Sequence, residues 1–429
     1  MKKIIYSFVL LLCVVACTTK QKDYSKLDTA FAQIIATDSV PAISVAYIAP
    51  NDTFYCKEIF NPQFYTQGQA DSLKMHSNES VFQAASLSKV VFAYIVNKMA
   101  QRGEIDLDTP VEKYTNLDRF EKEGGDYGRF TKEQSLEMAK KLTPRIILSH
   151  RTGLPNWSAS PSSDQWPTSH ITFKFEADSC YGYSGEGFAL LQRAVEAIKG
   201  TTIQEIATEE VFAPLGMTNT SYAWEDKYDT LALDGYNRKC ENRGKGRHPR
   251  ANVGYTLRTT AADYIKFVKT LMDGINSNDP AALAMTNIAP DAPKAIRYAK
   301  EHRDCDSTMY WGLGVGVEQN PQFGKAVWHW GNNGNFRALF IILPLHNKCF
   351  VYFTNGARGH DIVNKVTQEL MGGTFAIEPW INSLEHQWKT LPVAVRLGIC
   401  KKDKDRIKIL LTRSFCVYRY LYALQDVQK

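Results

Sequence analysis

The stretch FQAASLSKVVFAYIVNKMAQRG at residues 82–103 constrains this chain more than any other. Leu87, Val90, Val91, Tyr94, Ile95, Val96 and Met99 recur at helical spacing, and Gly103 stands where a helix would stop. The pattern predicts one buried helix beginning near Ser86, around which the rest of the chain is organised. Side chains three apart share a helix face, so the Lys89 amine would sit beside the Ser86 hydroxyl. A serine hydroxyl is a poor nucleophile until a neighbour takes its proton. At the first turn, Ser86 would also feel the positive end of the helix dipole, and its own N–H could point at a developing oxyanion. Ser86 is the only serine in the sequence with a lysine three residues later. Taken alone, the pair reads better as a helix N-cap serine followed by a surface lysine, so the weight falls on what lies downstream.

With 429 residues and 44% hydrophobic content the chain can bury a substantial core, as one large domain or two interleaved ones. The formal charge of +6 is modest and its basic residues are spread out, which argues against a nucleic-acid partner. Residues 1–17 combine Lys2 and Lys3, a short apolar run and Val14-Val15-Ala16-Cys17. This is the pattern of an export signal too short to span a membrane as a mature helix. Its ending resembles the lipobox of bacterial lipoproteins, which implies lipidation of Cys17, a tether over 18–26 and, with no acidic residue following, an outer-membrane address facing the periplasm. Of the nine cysteines, those beyond Cys17 are scattered without C-x-x-C spacing, and no H-E-x-x-H pair occurs. Neither a disulfide framework nor a metal site is expected, and no cofactor.

Leu27, Phe31, Ile34 and Ile35 suit one face of a first helix, and residues 40–48 and 53–60 read as two strands joined at Pro50-Asn51-Asp52. From Glu104 to about Lys300 the texture is helical, with periodicity in SLEMAKKLTPRIILSH and in FALLQRAVEAIKG and TAADYIKFVKTLMDG, the last two closed by glycine. Residues 152–182, with Trp157 and Trp166, read as an extended loop that either covers surface or walls a cleft with aromatic rings. From Tyr310 strands return as WGLGVGVE, KAVWHWG, FRALFIILP and CFVYFTNG, followed by a helix in DIVNKVTQELMGG. The expected fold is α/β in the α+β sense: an antiparallel sheet built from both chain ends and flanked by helices, with a helical insertion over about 104–300. The domain would run from 27 to 373. Residues 374–429 stand apart as an extension, a packed or disordered appendage rather than a membrane-surface element.

Two further pieces carry chemistry. Tyr183-Ser184-Gly185 lies in a glycine-flanked turn entering a helix, and His329-Trp330-Gly331 lies on a strand before Asn332. Gly331 would let a ligand lie against the strand edge. Together with Ser86-Leu87-Ser88-Lys89, these segments resemble the ordered motifs Ser-x-x-Lys, Tyr-x-Asn and Lys/His-x-Gly of the serine β-lactamase and penicillin-binding protein superfamily. The class C β-lactamase, D-alanyl-D-alanine carboxypeptidase and esterase branch is the nearest. GEIDLDTPVEKY, ILSHRTGLP, PLGMTNTSY, LRTTAADYIKF, YWGLGVG and GNNGNFRALFIILP also look like its landmarks, in order.

The resemblance implies an acyl-enzyme at Ser86, with Lys89 and Tyr183 sharing its proton and the base role open between them. The N–H groups of Ser86 and Asn332 would form the oxyanion hole, and His329 would hold the substrate or the Tyr183 hydroxyl. Two positions depart from the pattern. Gly185 replaces an asparagine whose amide would grip a substrate carbonyl, and Trp330 replaces a small or hydroxylated residue. The substrate would be a small molecule or peptidoglycan-like amide or ester. The alternative is a slow or non-hydrolytic penicillin-binding or sensor lipoprotein using the same cleft. The sequence does not fix the oligomeric state.

Overall fold

The computed structural model describes residues 23–382 apart from 52, 67, 70–71, 73–77, 123–125 and 289–306. Cys17 and its signal, residues 18–22 of the expected tether, and residues 383–429 lie outside the described residues.

The chain enters through a helix at Ser25–Thr37, which already includes the last two residues of the expected tether. A hairpin of β1 (Ala42–Ala49) and β2 (Thr53–Phe60) follows. Its turn places Asn51 at φ 60°, a left-handed conformation that asparagine tolerates. Two short strands, β3 (Phe82–Gln83) and β4 (Arg258–Thr259), then pair on their own. The remaining strands are β5 (Met309–Trp311), β6 (Gly316–Asn320), β7 (Gly324–Asn332), β8 (Arg337–Leu343) and β9 (Lys348–Thr354). The main sheet is antiparallel throughout, in the order β2-β1-β9-β8-β7-β6-β5. Hairpin β1–β2 therefore joins the C-terminal strands at β9, as the sequence predicts.

Both faces of the sheet are covered. Ala338, Phe340 and Ile342 of β8 face a core shared with the Ser88–Gln101 and Ala261–Asn276 helices. Leu339, Ile341 and Leu343 face a second core shared with the Ser25–Thr37 and Val363–Met371 helices. Burial on both sides is why this strand reads as an unbroken apolar run. Phe375, Ile377, Trp380 and Ile381 also pack into the second core, so the folded domain continues past residue 373.

Three boundaries differ from the sequence reading. WGLGVGVE is not one strand: it turns between β5 and β6, where Gly314 has φ 103° and a Cβ would stand 2.1 Å from that of Ala93 on the central helix. The stretch before His150 splits into helices Lys132–Ala139 and Pro144–Leu148, because Thr143 caps a new N-terminus with proline in its first turn. Gly200 does close its helix in the left-handed region, but Gly274 lies within one that runs on to Asn276. Gly274 is small because Ala282 packs against it.

Candidate functional site

Ser86 lies in a 3-10 turn, Ala85–Leu87, and the α-helix proper begins at Ser88 rather than at Ser86. The helix is buried almost all round, with Val90, Val91, Phe92, Ala93, Ile95, Val96 and Met99 inaccessible. Ala85, immediately before the serine, has φ 49°, a region that costs a residue with a Cβ about 1–2 kcal/mol. The surroundings hold it there. Ala84 N–H donates to Leu257 O (2.8 Å), Tyr264 Oη to Leu87 O (2.9 Å) and Tyr222 Oη to Ser88 O (2.6 Å). The Ser88 hydroxyl donates to Ala85 O and accepts from Leu257 N–H (3.0 Å).

The Lys89 amine donates to Ser86 Oγ at 3.3 Å and to Gly254 O at 2.6 Å. It is 1% exposed, and no carboxylate among the described residues pairs with it. Its other neighbours are aromatic, with Nζ 4.8 Å from the centroid of Tyr183, 5.7 Å from Phe188 and 6.0 Å from Trp157. Loss of hydration lowers its pKa to about 7.

Tyr183 is half-buried, and its hydroxyl oxygen is enclosed. Burial raises the phenol well above its ordinary range; proximity to Ser86 acts in the opposite sense and is weaker. The hydroxyl completes no hydrogen bond of normal geometry. His329 does not bond it either: Nδ1 of His329 lies 2.7 Å from the Trp330 carbonyl and donates to it, which leaves Nε2 a buried acceptor without a partner. Burial and the charge of Lys89 lower the His329 pKa to about 3.

His150, from the ILSHRTGLP landmark, also belongs to this centre although no motif assigns it a role. Its ring lies 4.2 Å from that of Tyr183, and its Nδ1 accepts from Ser184 N–H (3.1 Å), so a neutral ring carries its proton on the unpartnered Nε2. Burial, then Lys89 and His329, push it well below the ordinary histidine range. Trp311 stands between the two histidines, 5.4 Å from one and 5.3 Å from the other.

Gly331 has a packing reason to be glycine. A Cβ there would stand 2.5 Å from Ala84 O and 3.2 Å from Ala85 Cβ, so its absence lets β7 close on the nucleophile turn. The ladder between β6 and β7 ends at Trp328, while β8 stays paired with β7 as far as Asn332. The Asn332 side chain accepts from Gly334 N–H (2.9 Å) and so shapes the turn beyond the strand. At Gly185 the missing side chain is replaced by the indole of Trp157, which a Cβ would meet at 2.4 Å. Trp157 and His150 carried only general signals in the sequence, an aromatic loop and a landmark segment. Trp330 packs 4.9 Å from the Tyr183 ring and belongs to the second core.

Two cavities of about 440 Å³, one beside Arg238 and Arg243 and the other beside Arg119 and Trp166, do not include Ser86, Lys89 or Tyr183. Lys89, Tyr183, His150 and His329, each shifted by burial, gather instead where the helical region meets β7. Among the described residues no cluster of three histidine, cysteine, aspartate or glutamate side chains could hold a metal ion. Cys56, Cys180, Cys240 and Cys349 are free thiols.

Known proteins share this fold. The chain is 21% identical over 309 residues to penicillin-binding protein 4* of Bacillus subtilis, covering 64% of this chain and 61% of that protein. It thus spans about three fifths of that relative's length. A D-stereospecific amidohydrolase from Streptomyces superposes with a TM-score of 0.60 at 16% identity, over 82% of this chain and 100% of the other. A class C beta-lactamase superposes with a TM-score of 0.59 at 16% identity, over 82% and 97%. The sequence profile of the beta-lactamase family matches residues 27–369, a span that contains Ser86, Lys89, Tyr183 and His329, and the chain belongs to that family.

Proposed function

We propose that this protein is a serine acyl hydrolase that passes through an acyl-enzyme at Ser86 on an amide or ester substrate of the cell envelope. The observation that carries the reading is a buried lysine amine 3.3 Å from the Ser86 hydroxyl, with no carboxylate among the described residues paired to it. As the neutral amine, Lys89 keeps its bond to Gly254 O and takes the proton of Ser86 with its lone pair. Ser86 Oγ bonds to the substrate carbonyl carbon, the negative charge moves to the carbonyl oxygen, and the Ser86 and Asn332 N–H groups would receive it. The bond to the leaving group then breaks, and the leaving group takes a proton from Tyr183, which Lys89 replenishes. Water reverses the sequence at the ester. Tyr183 is the acid here because burial keeps its phenol protonated, while burial of Lys89 does the reverse.

The names of the similar proteins, a penicillin-binding protein and an amidohydrolase, support an amide-type substrate. Export and anchoring through Cys17 are part of the same proposal and rest on the N-terminal residue pattern. Globomycin-sensitive processing and metabolic labelling with a fatty acid test the anchor; a Cys17→Ser chain that is still labelled rules it out.

Ser86→Ala is expected to abolish hydrolysis of p-nitrophenyl esters and labelling by a fluorophosphonate or penicillin probe. Undiminished hydrolysis would overturn the assignment. Gly185, which lacks the expected amide, favours a second reading, a slow penicillin-binding or sensor protein. Intact-mass measurement separates them, since a stable adduct on Ser86 without product release belongs to the binder.

A further inference from the structure

The place that an asparagine side chain at residue 185 would fill is occupied by another part of the chain. Trp157 Cζ2 lies 2.4 Å from where a Cβ at 185 would stand, and Trp157 Cη2 lies 2.7 Å from the equivalent point at Gly254. Gly185 does not have a left-handed φ, so the indole, and not the backbone, is what requires glycine there. The same ring stands 6.0 Å from Lys89 Nζ, and Gly254 gives its carbonyl to that amine. Trp157 is thus beside the reactive pair, and it is half-buried.

Its position is fixed from both sides. Asn156 O accepts from Gly185 N–H and Glu186 N–H, each at 3.0 Å, and Ser158 N–H donates to Glu186 Oε1 at 2.8 Å. Trp166 and Tyr255 hold the ring edge to face at centroid distances of 5.7 and 5.5 Å. Aromatic side chains locked this way present a stiff apolar wall.

Resting on the reading of Ser86 as the acylated residue, we propose that Trp157 is a specificity-determining residue that selects compact alkyl or aryl acyl groups over acylamino-substituted ones. An asparagine at 185 would satisfy the amide of an acylamino substituent, whereas the indole edge at Gly185 presents ring carbon. A substrate amide placed against it loses its hydration without replacement, a penalty of about tenfold to a hundredfold in kcat/KM, the scale of a missing methylene. The wall also limits chain length. The preferred substrates are therefore simple esters or amides of short apolar acids, and β-lactams with an acylamino side chain and D-Ala-D-Ala peptides are poor ones.

The test compares kcat/KM for p-nitrophenyl acetate, butyrate and octanoate and for a chromogenic acylamino cephalosporin, using the full chain and its variants. The wild type is expected to favour butyrate over the cephalosporin by more than about tenfold. Trp157→Ala should raise the octanoate to acetate ratio by about tenfold, the scale of relieving a hydrophobic wall. Trp157→Ala with Gly185→Asn, which restores room for the amide, should raise the cephalosporin to butyrate ratio by a similar factor. Trp157→Phe keeps a ring and serves if the alanine variants fail to fold; it should shift the chain-length ratio in the same direction by less. Fluorophosphonate labelling at Ser86 is measured in each protein. If the wild type is not labelled, the hydrolase reading and this inference both fall. If it is labelled but prefers the cephalosporin, or if the variants keep wild-type ratios, only the role of Trp157 is overturned.

Discussion

A lone buried lysine and a buried arginine–glutamate pair are treated in opposite ways in this molecule. Lys89 is enclosed by Tyr183, Phe188 and Trp157 without a counter-ion among the described residues, and its pKa drops to about 7. Arg119 and Glu186, at the start of the Gly185–Lys199 helix, are buried against each other at 2.9 Å. Glu186 also accepts from Trp166 Nε1 (2.9 Å) and Ser158, and Arg119 donates to Ser169 O (2.9 Å). The lysine is left unpaired and becomes titratable near neutrality; the two charges of the pair neutralise each other and clamp the aromatic loop. Partnering, more than burial, separates a chemical group from an architectural one.

The comparison breaks if Lys89 acts only as a fixed charge. Lys89→Arg keeps the cation but removes a proton acceptor, and acylation of Ser86 by a p-nitrophenyl ester should slow by about 10²–10⁴-fold in stopped-flow measurements. A rate near that of the wild type would move the base role to Tyr183. On the other side, Glu186→Ala leaves Arg119 buried and alone and should cost about 3–5 kcal/mol by denaturant titration. A loss typical of surface pairs would show that the clamp is dispensable.

The pH dependence sharpens the contrast. Lys89 must be neutral to act, so kcat/KM should rise through about pH 7 and level off above it. His329 loses its proton near 3 and His150 well below its ordinary value, so neither contributes to that limb. Any Glu186 variant that still folds should leave the midpoint in place. The smallest effect is on stability. The unfolded chain holds the Lys89 proton up to its ordinary pKa of 10.5, and the folded chain releases it above about 7. The folding penalty is full below pH 7 and fades as pH rises towards 10.5. Lys89→Met should therefore raise the melting temperature by a few degrees at pH 6 and hardly at all near pH 10.

The sequence alone determined the central helix, the two-ended antiparallel sheet and the order of the motifs. These rest on local periodicity and turn residues, which act within a few positions of themselves. Val90 to Met99 had to be buried, and β8 had to lie between two layers, whatever surrounded them. What only the tertiary structure decided is how distant segments meet. It placed Ser86 in a tight turn ahead of the helix, because Ala84 N–H donates to Leu257 O and β7 closes on the turn at Gly331. It brought His150 against Tyr183 from 33 residues away, and it filled the gap at Gly185 with Trp157. A missing side chain is visible in a sequence, but what occupies its space depends on packing between segments that share no local pattern.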